Sequence, residues 1–216
     1  MKLKRAVNGI KYMFAGTITW AAAIVFFWTM FTYGMMVQQG LAKSLIEMDS
    51  EMFYFILGAA VIIGAVFQFI GCIKAIPVSR YFLYALIIGT VGPIAVEYTL
   101  RLSIADNEAQ AAYRLFETFL YFVPLTTQAL LFLGTDKLLR QLGDEKQKEA
   151  GKKTKWQFIT ICIVSFGLAL FALMGWHVGF FGMIISTVCL LIYMIRAMRL
   201  AKKKDLPVVD EPYSGE

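Results

Sequence analysis

The chain has 216 residues, 59% of them hydrophobic and 17% charged, with a formal net charge of +6. An ordinary soluble domain carries about 45–50% apolar and about 25% charged residues. Here the charges are gathered into links between apolar runs of roughly twenty residues, the length that crosses a ~30 Å hydrocarbon core. That pattern excludes a soluble globular domain, and it assigns the positive charge to membrane orientation rather than to nucleic acid.

Unpartnered backbone groups cannot sit in lipid, so spanning segments are helices or a closed barrel. Barrel strands alternate polar and apolar residues over about ten positions, whereas residues 53–73 are apolar on every face. The prediction is an all-α membrane protein. Lys2, Lys4 and Arg5 precede an apolar run over 12–37, far longer than the ~7–15 residues of a signal-peptide core, so it is read as a retained first span. Its Tyr12 and Tyr33 lie about 31 Å apart along a helix, matching two aromatic belts.

A mildly acidic link leads to a second span over 52–73, where Ala60 and Gly64 have the small-xxx-small spacing of close helix contacts. Residues 74–80, with Pro77, form a tight link to a third span over 81–102. A polar link over 103–112 connects it to a fourth span over 113–134. The polar stretch 136–155 holds seven Lys/Arg, and its first part, as far as Leu142, continues the fourth helix until Gly143 stops it. The fifth span covers 156–174, and a tight turn over 175–179 leads to a sixth span over 180–198. The tail over 199–216, with Lys202, Lys203, Lys204, Pro207 and Pro212, is too polar to pack and is expected to be disordered.

Six spans in one bundle put both termini on one side. Eighteen Lys/Arg fall on that side and three, Lys43, Arg101 and Arg114, on the other. The positive-inside rule therefore predicts cytoplasmic termini in a plasma (inner) membrane, with anionic lipid headgroups as partners of the basic face. The two three-helix halves show no self-similarity, so the inverted-repeat signature of many transporters is missing.

Charge inside the spans is concentrated in the hairpin of the third and fourth helices. Glu97 and Arg101 are spaced i, i+4, and Arg114 and Glu117 i, i+3. Each carboxylate lies about 6 Å inside the far surface when depth is measured along a straight helix. One reading makes them interfacial ion pairs that fasten the hairpin. The other makes them part of an outward-facing pocket for a small polar ligand or ion, since intramembrane charge commonly marks function. Pro93 and Pro124 each free a backbone carbonyl near this region. Gln68 and Gln128 are polar groups within spans and are expected to make interhelical hydrogen bonds. Gln128 joins Glu97, Arg101, Arg114 and Glu117 as a candidate ligand-binding residue.

Catalytic and metal chemistry find little support. His177 is the single histidine, and Cys72, Cys162 and Cys189 form no C-x-x-C pair. No disulfide, metal or other cofactor is expected, and no H-E-x-x-H, G-x-S-x-G or aspartate lies inside a span. The expected function is binding or movement of a small polar solute or ion. The alternative is a non-catalytic accessory or scaffold subunit that packs against another membrane protein.

Overall fold

The computed structural model describes residues 2–38, 50–105, 109–143, 156, 158–160, 163 and 177–203. Within these, the side chains at 24, 28, 31, 35, 38, 50, 51, 54, 93, 96–122 and 177–182 lie outside the description. Among the described residues the fold is all-helical, without strands. The helices are α1 (Lys2–Gln38), α2 (Ser50–Ala75), α3 (Arg80–Ala105), α4 (Ala109–Gln141) and α5 (His177–Lys203).

Three segments are long and apolar enough to cross a membrane: Lys2–Gly34, Phe55–Ala75 and Met183–Lys203. Arg80–Gly92 is a shorter apolar helical segment. The architecture is consistent with membrane integration. Of the expected third and fourth spans, many side chains lie outside the described residues, as does most of the fifth; positions 156, 158–160 and 163 are helical. Hydroxyl bonding fits a lipid environment too. Thr17, Thr19, Thr29, Thr90, Thr127 and Thr135 each donate to the carbonyl four residues earlier, at 2.7–2.9 Å. Each of these hydroxyl protons is thereby satisfied within its own helix, as a solvent without hydrogen-bonding groups demands.

Several boundaries differ from those expected. α1 begins at Lys2 rather than near residue 12, because Ala6, Val7 and Ile10 are buried beneath the intervening charges. Leu3 packs against the same core. These positions recur at helical spacing, so one stripe is apolar while Lys2, Lys4, Arg5 and Lys11 occupy the rest of the surface. α5 begins at His177, inside the expected turn, and continues to Lys203 with Ala201 buried, so the first five residues of the expected tail are helical. α3 and α4 reach Ala105 and start at Ala109, which confines the expected 103–112 link to 106–108, outside the described residues. Alanines at 105, 109, 111 and 112 favour this extension.

The turn between α2 and α3 follows from its residues. Pro77 has no N–H to continue a helix. Ser79 then caps α3: its Oγ accepts from the Tyr81 N–H at 3.4 Å, and its carbonyl accepts from the Phe82 N–H at 3.2 Å. At the end of α4, Gly143 takes a positive φ of 72° and its N–H reaches the Arg140 carbonyl at 3.0 Å. That left-handed residue closes the helix as glycine does most cheaply.

The α1–α2 hairpin is antiparallel and held by a glycine seam. A Cβ placed on Gly9 would lie 2.5 Å from the Gly71 carbonyl oxygen, and one on Gly16 would lie 2.6 Å from the Gly64 carbonyl oxygen. On each helix the two glycines are seven residues apart, two turns, so they face the partner in register. Farther along, Phe26 lies 5.5 Å from Phe53, ring centroid to centroid. α3 and α4 form a second antiparallel hairpin, with the fully buried Phe82 ring over Gly134 and Val123 against Gly92.

The core lies toward the end where α1 starts and α4 and α5 finish. Ile10, Met13, Phe82, Leu131, Phe132, Leu138, Leu139, Leu142, Leu190 and Met194 are its largest fully buried apolar side chains. Phe158 stacks on Phe132 with centroids 3.8 Å apart, and Tyr193 closes on the same ring at 4.3 Å. The basic residues Lys2, Lys4, Arg5, Lys11, Lys74, Arg80, Lys137, Arg140, Arg199, Lys202 and Lys203 belong to this same end. Here Lys74 Nζ sits 4.1 Å from the Tyr12 ring centroid, and Arg140 pairs with the buried Asp136 at 3.0 Å. Beyond Ala23 on α1, before Gly64 on α2 and after Ala85 on α3, no described side chain is buried.

Candidate functional site

Where the well-packed half ends, the helices enclose a partly open pocket of about 120 Å³. It is lined by Thr17 and Trp20 of α1, Gln68 of α2, Gly89 of α3, Val123, Pro124, Thr127, Gln128 and Leu131 of α4, and Leu190 of α5. Every described helix contributes. Tyr12 and Tyr81 stand at the basic end of α1 and α3. Measured from them, Trp20 and Gly89 are each eight residues farther along, about 12 Å at ~1.5 Å per residue. The two helices thus place the pocket at the same depth.

Two polar clusters face this space from different hairpins. Gln68 Nε2 donates to Thr17 Oγ1 at 3.4 Å, and Thr17 in turn donates to the Met13 carbonyl at 2.8 Å. On the other side, Gln128 Nε2 donates to Thr187 Oγ1 at 2.8 Å, and Ser186 Oγ donates to Gln128 Oε1. Thr187 spends its own proton on the Met183 carbonyl at 2.7 Å. Thr17 and Thr187 must therefore accept from the glutamines, which fixes the orientation of both amides. Gln128, Ser186, Thr187 and Thr17 are all buried.

The pocket arises where local sequence permits close approach and then interrupts it. Gly89 and Gly92 bring α3 against α4; a Cβ on Gly89 would meet Thr127 Cγ2 at 3.4 Å. Pro124 cannot donate to the carbonyl four residues before it. Thr127 does not replace that donor, since its hydroxyl bonds to the Val123 carbonyl at 2.8 Å.

The structure distributes the residues singled out in the sequence unequally. Gln128 lies in the pocket wall, and both glutamines make the interhelical hydrogen bonds expected of them. Glu97 and Arg101 have helical backbones on α3, and Arg114 and Glu117 on α4, but their side chains lie outside the described residues. Glu97 is eight residues beyond Gly89, about 12 Å along the axis, and Glu117 is eleven before Gln128, about 16 Å. The carboxylate-bearing positions therefore belong to a different level from this pocket. Thr17, Ser186 and Thr187 were not singled out. Their partners are more than fifty residues away in sequence, and spacing within one helix carries no sign of such pairing.

Among the described residues no pocket-lining side chain is ionisable. Among the described residues no group of three or more His, Cys, Asp or Glu could hold a metal ion. Cys72 and Cys189 are free thiols, with Cys72 Sγ 3.7 Å from Met13 Sδ in the packed core. Comparison with known proteins gives no match: no family model, no curated protein and no solved structure is significantly similar to the chain.

Proposed function

We propose that this is a non-catalytic, multi-pass membrane protein that binds a small polar solute, as a step in moving it, inside the pocket shared by its helices. The observation that carries this reading is the convergence of Gln68, Thr127 and Gln128 on one interior space. Polar groups are costly in lipid and face a bundle interior for a reason, either mutual bonding or a ligand. In the same reading six spans cross the plasma membrane, with both termini and the basic end in the cytoplasm against anionic headgroups.

A melting-temperature panel tests it. Purified protein is titrated to 100 mM with acetamide, acetate, methylammonium and glycine, alongside a Gln128→Leu variant. A ligand at ten times its dissociation constant adds about 1.4 kcal/mol to folded-state stability. At least one solute is expected to raise the wild-type melting temperature and leave the variant unchanged. If every solute affects both proteins equally, the reading is wrong.

A second reading is favoured by the unburied far halves of α1, α2 and α3. Phe55 is 76% and Ile94 68% exposed, and such faces suit an accessory subunit packed against another membrane protein as well as they suit lipid. Stoichiometric co-purification in mild detergent supports that reading; a homogeneous, partner-free monomer counts against it.

A further inference from the structure

We infer that the solute taken by this pocket is an uncharged molecule of about four to six non-hydrogen atoms that both donates and accepts hydrogen bonds, a small amide or polyol. The inference rests on the binding reading above and narrows it to a chemical class. Charge is the first discriminator. Among the described residues the wall offers amides, hydroxyls and apolar surface but no ionisable side chain. An ion stripped of water there finds no countercharge, and that desolvation is the dominant cost of burying charge.

Hydrogen-bond valence is the second. A glutamine amide has two N–H donors and an oxygen with two lone pairs. Gln68 uses one N–H on Thr17, and Gln128 uses one on Thr187 and its oxygen on Ser186. Among the described residues, each amide keeps its second N–H, and Gln68 keeps its oxygen, without a protein partner. Thr17 and Thr127 have committed their protons to backbone carbonyls and present only lone pairs. The space thus offers donors from two different hairpins together with acceptors. A pure acceptor or a pure donor satisfies only half of it.

Volume is the third discriminator. A cavity of about 150 Å³ holds a six-carbon ring such as benzene. At about 120 Å³ this partly open pocket matches acetamide, urea, acrylamide or glycerol in size and accommodates only part of a hexitol.

Trp20, in the wall, supplies the readout. The full-length chain carrying Trp28→Phe, Trp156→Phe and Trp176→Phe retains Trp20 as its sole tryptophan and is placed in phosphatidylcholine nanodiscs. Acrylamide, itself a five-heavy-atom amide, is expected to quench Trp20 with saturation, and acetamide to relieve the quenching at least two-fold. Acetate, methylammonium and sorbitol should relieve it by less than a fifth of that effect. Gln68→Leu in this background should abolish the acetamide effect. Should that variant fold poorly, the solute comparison on the parent stands alone. Competition by acetate or methylammonium equal to that by acetamide overturns the neutral-solute class while leaving a polar-solute pocket. Equal competition by sorbitol overturns the size limit. Linear quenching unaffected by any solute overturns the class and the pocket together.

Discussion

Gln128 engages both ends of its amide with α5 and also lines the pocket. Its replacement therefore has separable effects. Interhelical hydrogen bonds of this kind contribute about 0.6 kcal/mol on average and seldom more than about 1.7, because the unfolded chain in a membrane also finds partners. A double-mutant cycle of Gln128→Ala and Thr187→Val, read by reversible unfolding in mixed micelles, is expected to give a coupling within that range. A coupling indistinguishable from zero would show that the two side chains do not meet. In the Thr187→Val protein the backbone N–H of residue 187 still bonds to the Met183 carbonyl in the helical ladder, so no backbone acceptor is orphaned by that change.

The helix pairs depend on glycine at some positions and are indifferent to it at others. A methyl group on Gly16 collides with backbone atoms, the Gly64 carbonyl oxygen at 2.6 Å and the Gln68 nitrogen at 2.9 Å. Backbone cannot swing aside as a flexible side chain can. Gly16→Ala is expected to destabilise by about 1–3 kcal/mol, the usual range for overpacking. Gly58→Ala, where nothing lies within 4 Å, should be neutral or stabilising by about 0.5–1 kcal/mol. Melting temperatures of the two variants that move together would contradict the seam. This contrast was only partly legible in the sequence. Ala60 and Gly64 drew attention by their four-residue spacing, but the documented contacts pair Gly64 and Gly71 with Gly16 and Gly9 at seven-residue spacing on both helices. The start of α1 was hidden similarly, because the charges around Leu3, Ala6, Val7 and Ile10 resemble a simple topogenic signal until their periodicity is counted. Gly143 and Pro77, whose effects are local, were legible at once.

For the molecule as a whole, hydropathy segregation identified helices suited to a membrane, since that property belongs to each segment alone. The pocket could not be found that way, because it depends on how hairpins set side by side. Gln68 and Thr17 are separated by 51 residues, and Gln128 and Thr187 by 59. The proposed topology has a direct check. Single cysteines at position 2 or 203, in a chain whose own three cysteines are replaced by alanine, should react with an impermeant maleimide only after cells are permeabilised. One at position 107 should react in intact cells. The reverse pattern would invert the orientation and place the basic end outside.

α1 is one uninterrupted helix of 37 residues, about 55 Å of rod that begins among the cationic side chains and runs past the cavity. The opposite wall has no such continuity, for at Pro124 a rung is missing from the α4 ladder. A push on the amino terminus is therefore carried stiffly to Thr17 and Trp20, while α4 can yield at that level like an elbow. Gln68, strapped to the rod, and Gln128, four residues past the elbow, face each other across the joint of a stiff beam and a bending one.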